Sequence, residues 1–389
     1  MTEANTPEGE TAQSGAEKAV PSAKRVLIYR LGSLGDMLIA LPALHLVAQA
    51  FPDAERRMLT NFPVNVKAPS AAAILDGSGL VQGYFRYGLK TRSPRELLGL
   101  AWKLRRWRPE VLVYLGASRG VEVAMRDAAF FRMCGIKQQI GIPLTEDMQE
   151  NRWSEAEQVW EPEAGRLART IAELGDARLE DPASWSLKLT GQEIARADEV
   201  ILELLPNWAP AKSVWDAETY RPEGAIAISV GTKVQSKDWG RENWRALLGR
   251  IAAEFPKRVL LLAGAPEESE ASEFAAEGWR ANGGGPVVNL CGRLSPRESA
   301  AAFSRARIFV GHDSGPMHLA ASVQTPCVAI FAARNKPRVW FPYGRQHRVL
   351  YHKVDCWGCG LETCIVEKKK CLTSITVDEV MAEVRAALQ

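Results

Sequence analysis

Short apolar runs alternate with longer amphipathic stretches along this chain. Residues 26–29 (VLIY) are apolar without a break, the pattern of a strand covered on both faces. A glycine-punctuated turn follows, and then a helical apolar period over 36–50. Further strands are predicted at 58–60, 81–86 and 111–115, with helices at 95–107 and 121–133. Two more helices are expected at 163–174 and 192–205. The rhythm breaks over 206–224, an irregular stretch with three prolines. It resumes with strands at 225–230, 258–263, 307–310 and 327–331, and helices at 241–254, 267–278, 296–306, 316–323 and 377–388.

Strands alternating with helices predict parallel sheets of the α/β class. The 389 residues are too many for one ordinary core. The expectation is therefore two doubly wound domains facing a central cleft. The first spans 25–205, 206–224 is the linker, the second spans 225–375, and 376–389 is a closing helix. In such sheets ligands bind beyond the carboxyl ends of the strands.

Composition narrows the classes. With 46% apolar and 24% charged residues, wholesale disorder and fibrous repeats are excluded. A net charge of +3 gives no global field for nucleic acid, and none is expected as a partner. No apolar run is long enough to span a membrane. Residues 1–24 are rich in Glu, Ala, Ser, Thr and Pro, and read as a disordered tail without a secretory signal. The expected compartment is the reducing cytoplasm, where the seven cysteines favour thiols or metal ligands over disulfides.

Four segments carry candidate chemistry. RLGSLGD (30–36) leaves the first strand, and Asp36 stands at a helix start, where capping alone would explain it. GHDSGPMH (311–318) joins a strand to a helix, with Pro316 in the first turn. The backbone N–H groups at Ser314 and Gly315 make an anion site strengthened by the helix dipole. Asp313 suits sugar hydroxyls, and His318 either reaches that pocket or packs beneath it. In GTKVQSKDW (231–239), Thr232 and Lys237 suit phosphate oxygens, or else the loop is solvated with Trp239 packed inward. In GAPEE (264–268), a carboxylate beyond a strand end suits ribose hydroxyls, or simply starts a helix.

Two further features stand apart. Residues 81–108 hold eight cations (Arg86, Lys90, Arg92, Arg95, Lys103, Arg105, Arg106, Arg108) against one acid, Glu96, with leucines and tryptophans interleaved. Such a helix suits an anionic membrane leaflet, and a solvated basic face over a packed stripe explains it equally. Cys356, Cys359, Cys364 and Cys371 could form a tetrahedral structural site for zinc or iron, with free thiols and disulfides as the alternatives. Cys134, Cys291 and Cys327 sit in apolar contexts and read as core.

Taken together, RLGSLGDMLIALPAL, GTKVQSKDWGRENWRAL and FVGHDSGPMHLAAS followed by PCVAIF resemble glycosyltransferase family 9, the heptosyltransferases of lipopolysaccharide core assembly. The resemblance implies a GT-B fold of two Rossmann-like domains, acceptor domain first and nucleotide-sugar domain second. It implies an inverting transfer, most simply of heptose from ADP-heptose to a glycolipid or glycan acceptor, with no metal in the chemistry. By matching position it makes Asp36 the base and Thr232 and Lys237 the diphosphate ligands. Asp313, Ser314, Gly315 and His318 would surround the donor, with Glu267 at the ribose. Arg30 and Arg119 fall on the acceptor side, where an Arg fork reads anionic sugars. Relatives that glycosylate proteins carry a four-cysteine metal finger resembling the one here. An enzyme of this kind would be cytoplasmic, peripheral at the inner face of the membrane. Another nucleotide-sugar transferase, an epimerase of the same fold and a non-catalytic nucleotide-sugar binder are the alternatives. Residues 146–160 have no role in this picture.

Overall fold

In the computed structural model, residues 22–62, 69–88, 93–206 and 224–389 are described. Most of the expected tail, nearly all of the linker, and Lys90 and Arg92 lie outside them. The first lobe holds a parallel sheet of β1 (Arg25–Tyr29), β2 (Glu55–Asn61), β3 (Gly83–Tyr87), β4 (Val111–Tyr114) and β5 (Gln138–Ile140), in the order β3-β2-β1-β4-β5. An antiparallel hairpin of β6 (Trp153–Ser154) and β7 (Val159–Trp160) follows. The second lobe holds β8 (Ala225–Ser229), β9 (Leu260–Leu262), β10 (Val287–Asn289), β11 (Ala306–His312), β12 (Cys327–Phe331) and β13 (Arg348–Tyr351), in the parallel order β10-β9-β8-β11-β12-β13.

Period-2 alternation sorts each strand between two cores. In β1, Leu27 and Tyr29 join Leu59, Leu112 and Tyr114 beneath helices Pro94–Trp107 and Val121–Met133 on the outer face. Val26 and Ile28 point the other way. In the second sheet, Ile226, Ile228, Ile308 and Val310 meet helices Arg241–Glu254, Ser269–Ala281 and Val377–Leu388. The two inner faces and the helices between them share one continuous apolar cluster, from Met37 and Leu44 to Phe303, Met317 and Leu319. Hydrophobic burial therefore joins the lobes as well as building them. Cys134 and Cys327 are buried as expected, and Cys291 is half-buried with its thiol toward Ser272 Oγ.

Local chemistry explains where elements depart from expectation. The single helix expected over 36–50 is two, Leu34–Ile39 and Leu41–Ala50, joined at Ala40. Pro42 has no N–H to bond back one turn, so the helix restarts there. Helix Gly191–Leu204, assigned by sequence to the first lobe, packs on helix Pro296–Phe303 of the second. Arg297 and Arg305 cross that contact. Arg297 meets the Glu193 carboxylate at 2.5 and 3.0 Å and the carbonyls of Ile74, Leu187 and Lys188, while Arg305 grips Asp198 with two bonds. No helix among the described residues is long and apolar enough to cross a membrane.

Candidate active site

The strand-end loops of the two lobes meet at one cleft of about 470 Å³. The first lobe supplies Ser33, Leu34 and Gly35. The second supplies Gly231–Val234, Lys237, Gly264–Pro266, Glu268 and Asp313–Pro316. Contact between the lobes is tight here: a Cβ added to Gly35 would lie 3.1 Å from His318 Cδ2, and one added to Gly315 would lie 2.8 Å from Leu34 Cδ2.

Asp36 is fixed from three sides. Its Oδ2 accepts from the backbone N–H (2.7 Å) and hydroxyl (3.0 Å) of Ser33, the helix-capping contact that sequence allowed. Its Oδ1 stands 3.8 Å from Arg30 Nη2. The carboxylate folds back over Gly32, whose φ of +136° and missing side chain make the room, since an added Cβ would overlap the Asp36 Cγ. The Asp36 side chain keeps 25% of its surface open beside the cleft residues Ser33–Gly35. Arg30 corrects an expectation. It is 0% exposed and its guanidinium donates to the Asp36 and Leu115 carbonyls, so it braces the loop and has no surface for an acceptor.

Across the cleft, Lys237 Nζ lies 2.7 Å from Asp313 Oδ2 and donates to the Asp313 carbonyl at 3.1 Å. Ser314 precedes helix Gly315–Ser322, and its buried hydroxyl has no hydrogen-bond partner. The Thr232 hydroxyl accepts weakly from the Val234 N–H. Glu267 is exposed and outside the cleft wall, whereas Glu268 lines it. The Glu268 carboxylate accepts from the Ala265 N–H at 2.8 Å and lies against Gly231 and Gly264, whose missing Cβ atoms leave it space. His318 is buried against the first lobe, and burial pushes it down to about 4, so it is neutral at pH 7. His312 accepts the Trp239 N–H on Nε2, which places its own proton on Nδ1, and burial lowers it also to about 4.

Arg119 sits in the loop after β4, exposed, with Nη2 on the Tyr29 and Tyr114 hydroxyls at 3.0 Å and on Asp127 at 2.7 Å. It is outside the cleft wall. Sequence reasoning missed the support beneath this side. Arg166 and Glu163 form a buried ion pair at 2.6 Å, and Arg166 also donates to the Gly116 carbonyl. Gln149 accepts the N–H groups of Arg119 and Gly120. The motif-free stretch 146–160 thus holds the loop after β4. Its hairpin reaches the second lobe through Arg338–Glu157 and through Lys336, 4.0 Å from the Trp160 ring centroid.

The four late cysteines line one small cavity of about 20 Å³ with Ser236, Arg334 and Lys369. The Lys369 N–H reaches Cys364 Sγ at 3.1 Å, and such backbone donors pull the Cys364 thiol below its usual range. Among the described residues no three His, Cys, Asp or Glu side chains are spaced to hold a metal ion.

Comparison with known proteins places this architecture. Residues 126–370 match the model of glycosyltransferase family 9 (heptosyltransferase). Lipopolysaccharide heptosyltransferase 1 of Escherichia coli is 28% identical over 127 residues, covering 33% of this chain and 37% of that protein. The matched segments span about a third of the curated relatives' length. A glycosyl transferase family 9 structure from Veillonella parvula superposes with a TM-score of 0.67 at 16% identity, covering 94% of this chain and 97% of that one. The structure of ADP-heptose lipopolysaccharide heptosyltransferase II of E. coli gives 0.60 at 16% identity, covering 94% and 98%. The two parallel sheets facing one cleft are the GT-B fold.

Proposed function

This chain belongs to glycosyltransferase family 9, and on that premise we propose that it is an inverting glycosyltransferase that moves a sugar, most simply heptose from ADP-heptose, to a glycolipid or glycan acceptor of the cell envelope. The observation that carries the reading is the meeting of Ser33–Gly35, the residues next to Asp36, with Asp313–Pro316 at one cleft.

Asp36 is the base. It takes the proton of the acceptor hydroxyl as that oxygen attacks the anomeric carbon, a contribution of roughly 10²–10⁴-fold. The bond to the nucleoside diphosphate breaks on the opposite face, and its electron pair leaves with the phosphate. Lys237 and the N–H groups opening helix Gly315–Ser322 receive that charge without reorganising. Thr232 and the unpartnered Ser314 hydroxyl add donors to the same oxygens. Asp313, tethered by Lys237, accepts from donor-sugar hydroxyls, and Glu268 accepts from the ribose. His318, neutral and buried, seats the helix against the first lobe. Arg119 presents its remaining N–H groups to an anionic acceptor.

The four thiols line one cavity but are not spaced as a metal site among the described residues, so a structural zinc or iron ion would require the finger to draw them closer together. Four cysteine ligands would leave such an ion no open position for the transfer reaction.

The test is a donor screen on the purified chain. ADP-heptose should raise the melting temperature more than UDP- or GDP-sugars, and ADP should be released only when acceptor is present. Preferential UDP release would reassign the donor. Binding without turnover of any donor would leave a nucleotide-sugar binder.

A further inference from the structure

The outer flank of the first lobe carries an apolar strip set among arginines. Helix Pro94–Trp107 buries Leu100 and Leu104 against the sheet, which accounts for its inward stripe. Leu98 and Trp102, one turn apart, face outward with 70% and 63% of their surface exposed. Arg105 and Arg106 follow in the next turn. Arg25, Arg105, Arg106 and Arg108 surround Trp102 at an open depression of about 590 Å³. Met133 ends the neighbouring helix, 67% exposed, and its carbonyl accepts from Arg105 Nη1 at 2.6 Å. Glu96 is the only acid on the basic helix.

We propose that this flank docks on the anionic surface of a lipid bilayer. Charge and apolarity are complementary to that surface together. The guanidinium groups match phosphate headgroups bidentately, and the indole and leucine side chains reach the boundary just beneath them. A packed amphipathic helix needs no outward leucine and tryptophan, and a partner that reads charge alone would gain nothing from them. Docking rests on the first lobe only, and it leaves the cleft residues untouched.

Vesicle co-sedimentation of the full chain tests this, and with no sugar donor present its outcome is independent of the transfer reading. Phosphatidylglycerol-rich vesicles should carry the protein down at low salt, and phosphatidylcholine vesicles should not. R105Q/R106Q should bind about 30-fold more weakly, at roughly fivefold per cation. L98Q/W102Q should also lose binding, and both variants should keep the wild-type melting temperature and nucleotide-induced shift. No sedimentation of wild type with anionic vesicles overturns the proposal. So does unchanged binding of L98Q/W102Q, because the face would then read polyanions by charge alone.

Discussion

Gly32 matters at the scale of single residues because of what folds over it. Its positive φ and missing Cβ let the Asp36 carboxylate reach Ser33, so Gly32→Ala should stay folded and lose about a hundredfold in turnover through a displaced base. Steady-state kinetics with a circular dichroism control checks it, and near-wild-type turnover would remove Asp36 from the chemistry. Glu268→Gln should weaken nucleotide affinity, while Glu267→Gln should leave calorimetric binding unchanged, since only Glu268 lines the cleft. Three histidines enclosed by the fold set the acid limit: His312 and His318 are buried and His347 is half-buried. His312, His318 and His347 are each pushed by burial to about 4, below the usual 6.5. The unfolded chain then binds more protons between pH 6.5 and 4, so stability is full above that window and is lost as pH falls through it. The melting temperature should drop by many degrees from pH 7 to 5, and a flat profile would contradict their burial. Asp36, Lys237 and Asp313 were legible in the sequence as segments that leave strand ends. Arg30 was misplaced because a buried guanidinium on backbone carbonyls has no local signature. The Arg166–Glu163 pair escaped notice for the same reason.

Among elements, long periodic helices and uninterrupted apolar strands were readable, and helices Val121–Met133, Arg241–Glu254 and Val377–Leu388 fall where the pattern puts them. Strands β5 and β10, three residues each, are too short to show a period, and β13 begins with an arginine in a polar stretch. The coupling of the cysteine finger to the donor loop was likewise invisible, because it joins residues more than a hundred positions apart. Cys364 N–H donates to Gln235 Oε1, the Ser236 N–H and hydroxyl bond the Glu362 and Leu361 carbonyls, and Lys369 Nζ bonds the Asp238 carbonyl. The finger therefore holds the short 3₁₀ turn Gln235–Lys237 that aims Lys237. Gln235→Ala, which removes the acceptor of the Cys364 N–H, should lower affinity for nucleoside diphosphate about tenfold while the apolar core persists, a loss on the scale of one hydrogen bond. Titration calorimetry with ADP reads it, and unchanged affinity would uncouple finger from site.

The whole molecule is organised by the apolar seam between its sheets and by the Arg297 bonds to the Ile74 and Leu187 carbonyls that cross it. Strand–helix alternation predicted two facing lobes, yet which helix would rest on which lobe was decided by tertiary packing, as Gly191–Leu204 shows. Arg297→Met leaves the half-buried Glu193 and three backbone carbonyls without their donor, so it should cost about 2–3 kcal/mol in chemical denaturation. A loss below 1 kcal/mol would mean that the seam alone joins the lobes. The central claim is that a carboxylate from one lobe acts on a sugar held by the other. The direct measurement is Asp36→Asn assayed for nucleotide-sugar affinity and for nucleoside diphosphate release with acceptor present. Affinity within about twofold of wild type with turnover reduced at least a hundredfold is the predicted result. Turnover that survives the substitution would contradict the account.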